Sequence, residues 1–153
     1  MNNLEIDKLL SNVDGFVGTF PSNCIPAVQF RPAAYVVNTA PIPDEYGGDH
    51  WVAIILNKGA KGEYFDSFGL APIEYSISKF MSDSCPNGYT FTTKMIQSPR
   101  SSVCGLYCID YIRERLLNKT SKSDYLASFK SDFNANDSLV IVRQPWQLFA
   151  RLL

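Results

Sequence analysis

One stretch of the chain constrains its fold more than any other: His50-Trp51-Val52-Ala53-Ile54-Ile55-Leu56, an unbroken apolar run behind the chain's single histidine. Such a run is the pattern of a strand buried in a core rather than one laid on a surface. Asn57-Lys58-Gly59 follows, and then a second run reaching Tyr64-Phe65-Asp66. A three-residue hairpin loop with glycine in its last, left-handed position is a favoured connection. That register pairs Leu56 with Ala60 and Ile54 with Gly62, and it sets His50 opposite Asp66. Opposed Cβ atoms lie about 4.5–5.5 Å apart, so a carboxylate–imidazole hydrogen bond is within reach. A four- or five-residue loop would slip this register.

Around the hairpin the pattern changes twice. Leu4, Ile6, Leu9, Leu10 and Val13 recur at helical spacing, with Gly15 as a stop signal. Residues 15–33, rich in Gly, Pro and Asn, read as a surface wrap anchored by Phe16, Phe20 and Phe30. Ala34 to Asn38 reads as a strand and Pro41 to Gly48 as a loop. Pro72, Ile73, Ile77, Phe80 and Met81 predict a helix with proline near its first turn. Cys85 to Gly88 is a turn, and Tyr89 to Ile96 a further strand. Leu106, Ile109, Ile112, Leu116 and Leu117 predict a helix over about 104–117. Two short helices are expected over 123–132 and 145–153, with Leu139 to Val142 as strand or connector. Helix, then strands, then helices is an α+β order. No repeat or linker divides residues 1–153, so a single domain is expected.

The chain of 153 residues is 46% hydrophobic and 19% charged, enough for a packed core. Its net charge of −1 disfavours a nucleic-acid-binding surface. Arg113, Arg115, Lys119 and Lys122 form the one basic cluster, most simply a solvated helix face. The polar, acidic start is unlike a secretory leader, and no apolar run has transmembrane length. The four cysteines, at 24, 85, 104 and 108, lack metal-ligand spacing, so a reduced intracellular protein without zinc or other cofactor is expected. Cys24, Cys85 and Cys108 read as small core or surface thiols.

Cys104 differs from the other three. It opens an apolar helix, where the positive end of the helix dipole favours the thiolate. Acyl transfer by a thiol needs a thiolate, a base that also protonates the leaving amine, an orienter for that base, and donors for the oxyanion. Cys104 supplies the first, His50 the second and Asp66 the third. The Cys104 N–H and the Gln97 side chain supply the fourth. Each residue also has a plainer reading. A lone histidine before a strand is commonly structural, an aspartate before Ser-Phe-Gly is a turn former, and a cysteine opening an apolar helix is a small hydrophobe.

In order along the chain come Gly47-Gly48-x-His50-Trp51, Phe65-Asp66-Ser67-Phe68-Gly69, and Gln97-x-Pro99-x-Ser101-x-x-Cys104-Gly105-Leu106-x-Cys108. This series resembles adenain, the adenovirus-type maturation protease, and its clan of ubiquitin-like-protein (SUMO and NEDD8) proteases. Phe16 to Phe20 and Val36 to Ala40 are similar to adenain segments as well, so the resemblance spans residues 15 to about 117. It implies a mostly antiparallel central sheet flanked by helices, with the nucleophile at a helix N-terminus. It also implies roles: Cys104 nucleophile, His50 base, Asp66 orienter and Gln97 oxyanion donor. Trp51 would narrow the groove and select glycine-rich substrate ends, with Gly48 and Gly105 as further substrate-binding positions.

The implied activity is a monomeric cysteine endopeptidase cleaving after glycine-containing motifs. Its substrates would be capsid or core precursors of a double-stranded DNA virus, a virophage or a virus-like transposon, in the host cell and the virion. A deSUMOylating or deubiquitinating isopeptidase is the alternative, followed by a clan acetyltransferase and a non-catalytic peptide-binding scaffold. Adenain carries Glu at the Asp66 position, whereas Asp is usual in the clan's cellular members. Adenain is also activated by DNA and by a viral peptide held through a disulfide. Cys85 falls in the region of that peptide-linking cysteine, with a surface thiol as the other reading, and the acidic balance speaks against DNA.

Overall fold

The computed structural model of the chain describes residues 1–40 and 50–145. In order, the elements are α1 (Asn3–Leu9), β1 (Phe16–Pro21), β2 (Ala33–Asn38), β3 (Trp51–Leu56), β4 (Gly62–Phe65), α2 (Tyr75–Ser84), β5 (Tyr89–Phe91), α3 (Cys104–Leu116), α4 (Lys122–Ala127) and α5 (Phe133–Arg143). The strands form one sheet in chain order, β1-β2-β3-β4-β5. The architecture is α+β, as expected, but the sheet is evenly mixed rather than mostly antiparallel. The β2–β3 and β3–β4 pairs are antiparallel, while the two outer pairs, β1–β2 and β4–β5, are parallel.

Both faces of the sheet are covered, which is why its central strands are continuously apolar. On one face Ala34, Val36, Ala53, Ile55 and Phe65 pack with Ile6 and Leu9 of α1 and with Tyr107, Ile109 and Ile112 of α3. On the other, Tyr35, Val37, Val52, Ile54 and Tyr64 meet Ile77 and Met81 of α2. The alternation follows the two-residue period of a strand. Each fully buried Val, Leu or Ile contributes about 1.5–3 kcal/mol. Helix α3 runs through the middle of its layer, with every residue from Cys104 to Ile112 buried.

The β3–β4 hairpin pairs Ala53 with Phe65, Ile54 with Tyr64 and Ile55 with Glu63. Its loop is therefore five residues, 57–61, and the register slips by two from the three-residue expectation. Asn57 holds the wider loop, its Nδ2 donating to Lys61 O at 2.7 Å and to Glu63 Oε2 at 2.8 Å. Because a slip of two keeps every side chain on its face, His50 and Asp66 remain neighbours, diagonally rather than directly opposed.

Elsewhere the chain departs from expectation for local reasons. Residues 16–21 form β1, an edge strand with a register shift between Phe16 and Gly18; its glycine and terminal proline hide the strand pattern. Pro72 and Ile73 precede α2, which Glu74 caps through Ile77 N–H at 2.9 Å. Strand β5 stops at Phe91. Helix α4 ends at Ala127, and residues 139–142 are the last turns of α5. The buried face of α5 is Asn136, Asp137 and Val140, so polar residues occupy the positions where an apolar stripe would betray a helix. The loop 41–48 and, Pro145 apart, the helix over 145–153 fall outside the described residues. Among the described residues no helix is long and apolar enough to cross a membrane.

Candidate active site

The start of β3, the corner after β4 and the start of α3 meet at one place. His50 directly precedes β3 and Asp66 directly follows β4, so the hairpin delivers both. His50 Nε2 and Asp66 Oδ1 are 2.8 Å apart. The same oxygen accepts the Phe68 N–H at 2.8 Å, so Asp66 is at once the turn former and the imidazole's partner. Phe68 stacks on the imidazole, with ring centroids 4.9 Å apart at 21°. The other ring nitrogen, Nδ1, is buried without a close hydrogen-bond partner.

Cys104 opens α3, and its sulfur lies 3.4 Å from Trp51 N, which donates to it. The helix has Val103 at its N-cap with no side-chain cap, so its first N–H groups and its dipole face the thiol. Burial raises the Cys104 pKa, but the nearby His50 imidazole and hydrogen bonding from Trp51 N–H and Gly105 N–H carry it below the usual thiol value. Burial likewise pulls the His50 pKa down, yet Asp66 and Cys104 outweigh it and the net is a rise to about 9. A lowered thiol beside a raised imidazole favours a thiolate–imidazolium pair. The other cysteines are unlike it. Burial pushes the Cys108 thiol far up and the Cys85 thiol up. Cys24 is exposed. Cys85 is 7% exposed, with its sulfur against Gly62, so it is not the surface thiol expected.

Trp51 stands beside Cys104, its indole Nε1 donating to Met1 O at 3.3 Å. Gly105 lies beneath the ring, and a Cβ there would be 3.4 Å from Trp51 Cδ1. Gly48 is outside the described residues. Gln97 is fully buried and joins two segments of the site. Its Oε1 accepts the Ser67 hydroxyl at 2.5 Å, while its Nε2 donates to Ser101 O and Oγ at 3.0 and 3.1 Å. Its amide thus braces the loop leading into Cys104 rather than standing open.

The setting of Gln97 depends on residues to which the sequence assigned no role. Ser67 O accepts the N–H groups of both Ile96 and Gln97, at 3.0 and 3.1 Å. Gly69, at φ +73°, presses so closely on residues 93–95 that a Cβ would come within 2.8 Å of the Lys94 backbone. From α5, Asn136 Nδ2 donates to Ile96 O at 3.0 Å, and Asp137 Oδ1 accepts Ser98 N–H at 3.3 Å. Thr92 N–H still reaches Tyr64 O on β4 at 3.1 Å, and beyond it these bonds hold residues 96–98 toward Ser67 and α5, so β5 ends early. No sequence signal marked them, because Asn136 and Asp137 are polar residues whose burial only the structure reveals.

Two members of the basic cluster do not sit on a solvated face, whereas Lys119 is exposed. Arg115 Nη2 meets Glu63 Oε2 at 2.5 Å, and Lys122 Nζ donates to Thr90 Oγ1 at 2.7 Å. Among the described residues no group of three or more His, Cys, Asp or Glu side chains converges as metal ligands do.

The fold is an α+β domain built on a five-stranded mixed sheet, and it has a structural counterpart. The central domain of the uncharacterized Lpg1148 protein from Legionella pneumophila superposes with a TM-score of 0.54 at 11% identity, covering 98% of this chain and 96% of that one. At that identity the likeness concerns the fold alone. No protein-family profile and no curated protein matches the chain.

Proposed function

We propose that the chain is a cysteine endopeptidase that cleaves after glycine. The observation that carries this reading is the file Asp66–His50–Cys104 at the uncapped start of α3, with the thiol lowered and the imidazole raised. Cys104 Sγ attacks the carbonyl carbon, forming a C–S bond and an oxyanion. His50 gives its proton to the leaving nitrogen as the C–N bond breaks. Water, surrendering a proton to His50, then attacks the thioester carbonyl; the C–S bond breaks, the acid product leaves, and the Cys104 thiolate and protonated His50 are restored. The Cys104 N–H and Gln97 Nε2 are the oxyanion donors, Gln97 turning one hydrogen from Ser101 to the substrate. Cys104 is only 4% exposed, with the Trp51 indole close to Gly105 beside it, a confinement that suits a chain without side chains at the cut. The adenain resemblance extends the reading to precursor proteins of a virus or virus-like transposon.

Fluorogenic peptides with glycine before the cut, compared with the same sequence on SUMO or ubiquitin, test it. The proposal expects similar kcat/KM for both, abolished by Cys104→Ala. A preference of about 10³-fold for the folded conjugate would favour the isopeptidase reading. No hydrolysis of either would remove the protease assignment.

A further inference from the structure

Beside His50, on the side of Asp66, lies an open pocket of about 410 Å³, within the range of roughly 300–1,000 Å³ usual for ligand sites. His50 and Asp66 form its inner wall, and Leu70, Ala71, Ile73 and Glu74 its outer one. Cys104 does not line it. Helix α2 begins only at Tyr75, so residues 70–73 stay outside it and their apolar side chains are left to solvent. Leu70 is 51% and Ile73 84% exposed.

The direction of the chemistry assigns this pocket a substrate segment. The imidazole that protonates the leaving amine must lie on the leaving-group side of the sulfur. The part of the substrate attached to that amine therefore passes His50 and continues away from Cys104, toward the pocket. Charge then narrows the occupant. With Asp66 neutralised by a protonated His50, Glu74 is the carboxylate left on the lining. Its helix cap uses Oε2, one of its two oxygens. An aliphatic stem laid along Leu70, Ala71 and Ile73 and ending in a cation at Glu74 matches both features.

We propose that this pocket binds the side chain of the residue that follows the scissile bond, and that it favours lysine or arginine there. The inference rests on the endopeptidase reading above. Its test is a peptide set identical up to the glycine before the cut and differing only in the next residue: Lys, Arg, Leu, Ala or Glu. The wild type should cleave the Lys and Arg peptides about tenfold faster in kcat/KM than the Glu peptide. Glu74→Gln, which keeps an oxygen for the helix cap, should reduce that ratio to about threefold or less. Ile73→Ser, at an exposed position, should slow the Lys and Leu peptides together relative to the Ala peptide. Equal rates for Lys and Glu peptides, or a Lys preference untouched by Glu74→Gln, would overturn the inference and leave the protease reading standing. Failure to cleave any of the five would overturn both.

Discussion

The two ends of α3 each hold buried charge against the β3–β4 hairpin, and they treat it oppositely. At the C-terminal end every oxygen of Glu63 is occupied. Oε1 accepts Tyr111 Oη and Arg115 Nε, and Oε2 accepts Arg115 Nη2 and Asn57 Nδ2. Burial alone would raise the Glu63 pKa, but Arg115, Tyr111 and Asn57 bring it below its ordinary value. At the N-terminal end, His50 has one nitrogen on Asp66 and the other buried and unmatched. A saturated network fixes a helix on a sheet, whereas an unsatisfied one costs stability and is kept where chemistry needs a group to change partners.

The largest effect should come from the unsaturated end. His50→Ala should lower kcat at least about 10⁴-fold, as the loss of a triad member does, in a variant that still folds. A variant that kept a tenth of wild-type turnover would show that His50 is structural. Next comes Gln97→Ala, for which a fall of about 10²–10³ in kcat at nearly constant KM is expected of an oxyanion donor. A rise in KM alone would move Gln97 to substrate binding.

At the saturated end, Arg115→Met should cost about 3 kcal/mol in denaturant unfolding, because Glu63 stays buried without its cation. Activity per folded molecule should hold. The Glu63 carboxylate is lowered, so its stabilising contribution is complete above its unfolded value near 4.5 and is lost as pH falls through the lower folded value. The stability gap between wild type and variant should therefore close in acid. A gap that stayed constant with pH would mean that Arg115 acts through packing.

How much of this was legible in sequence divides along the same line. The β3 run and the α3 periodicity declared themselves because one is continuously apolar and the other repeats at helical spacing. His50, Asp66 and Cys104 were found together because the slip in the hairpin register was two residues and kept both partners on one face. A slip of one would have separated them. The mixed sheet was not legible, since β1 and β5 are short parallel edges broken by glycine, proline or an early exit. Neither was α5, whose buried face is polar because it serves residues 96–98. The Arg115–Glu63 pair was hidden by sequence distance, so its arginine passed for surface charge.

A smaller effect separates the ends by pH. On the proposed mechanism, the thiolate–imidazolium pair exists between the lowered Cys104 pKa and that of His50, about 9. The profile of kcat/KM should rise through the first and fall past the second. Asp66→Asn removes the carboxylate that holds the proton on His50, so the alkaline limb should move toward neutrality by about one unit or more. An unmoved limb would detach Asp66 from the titration.

The central claim is that Cys104 alone carries an activated thiolate. Residue-resolved mass spectrometry after substoichiometric iodoacetamide at about pH 6, well below the ordinary thiol range, tests it without any substrate. The account predicts that Cys104 is alkylated first, ahead of exposed Cys24 and buried Cys85 and Cys108, and that His50→Ala abolishes this lead. Alkylation of Cys24 before Cys104 in the wild-type protein would contradict it.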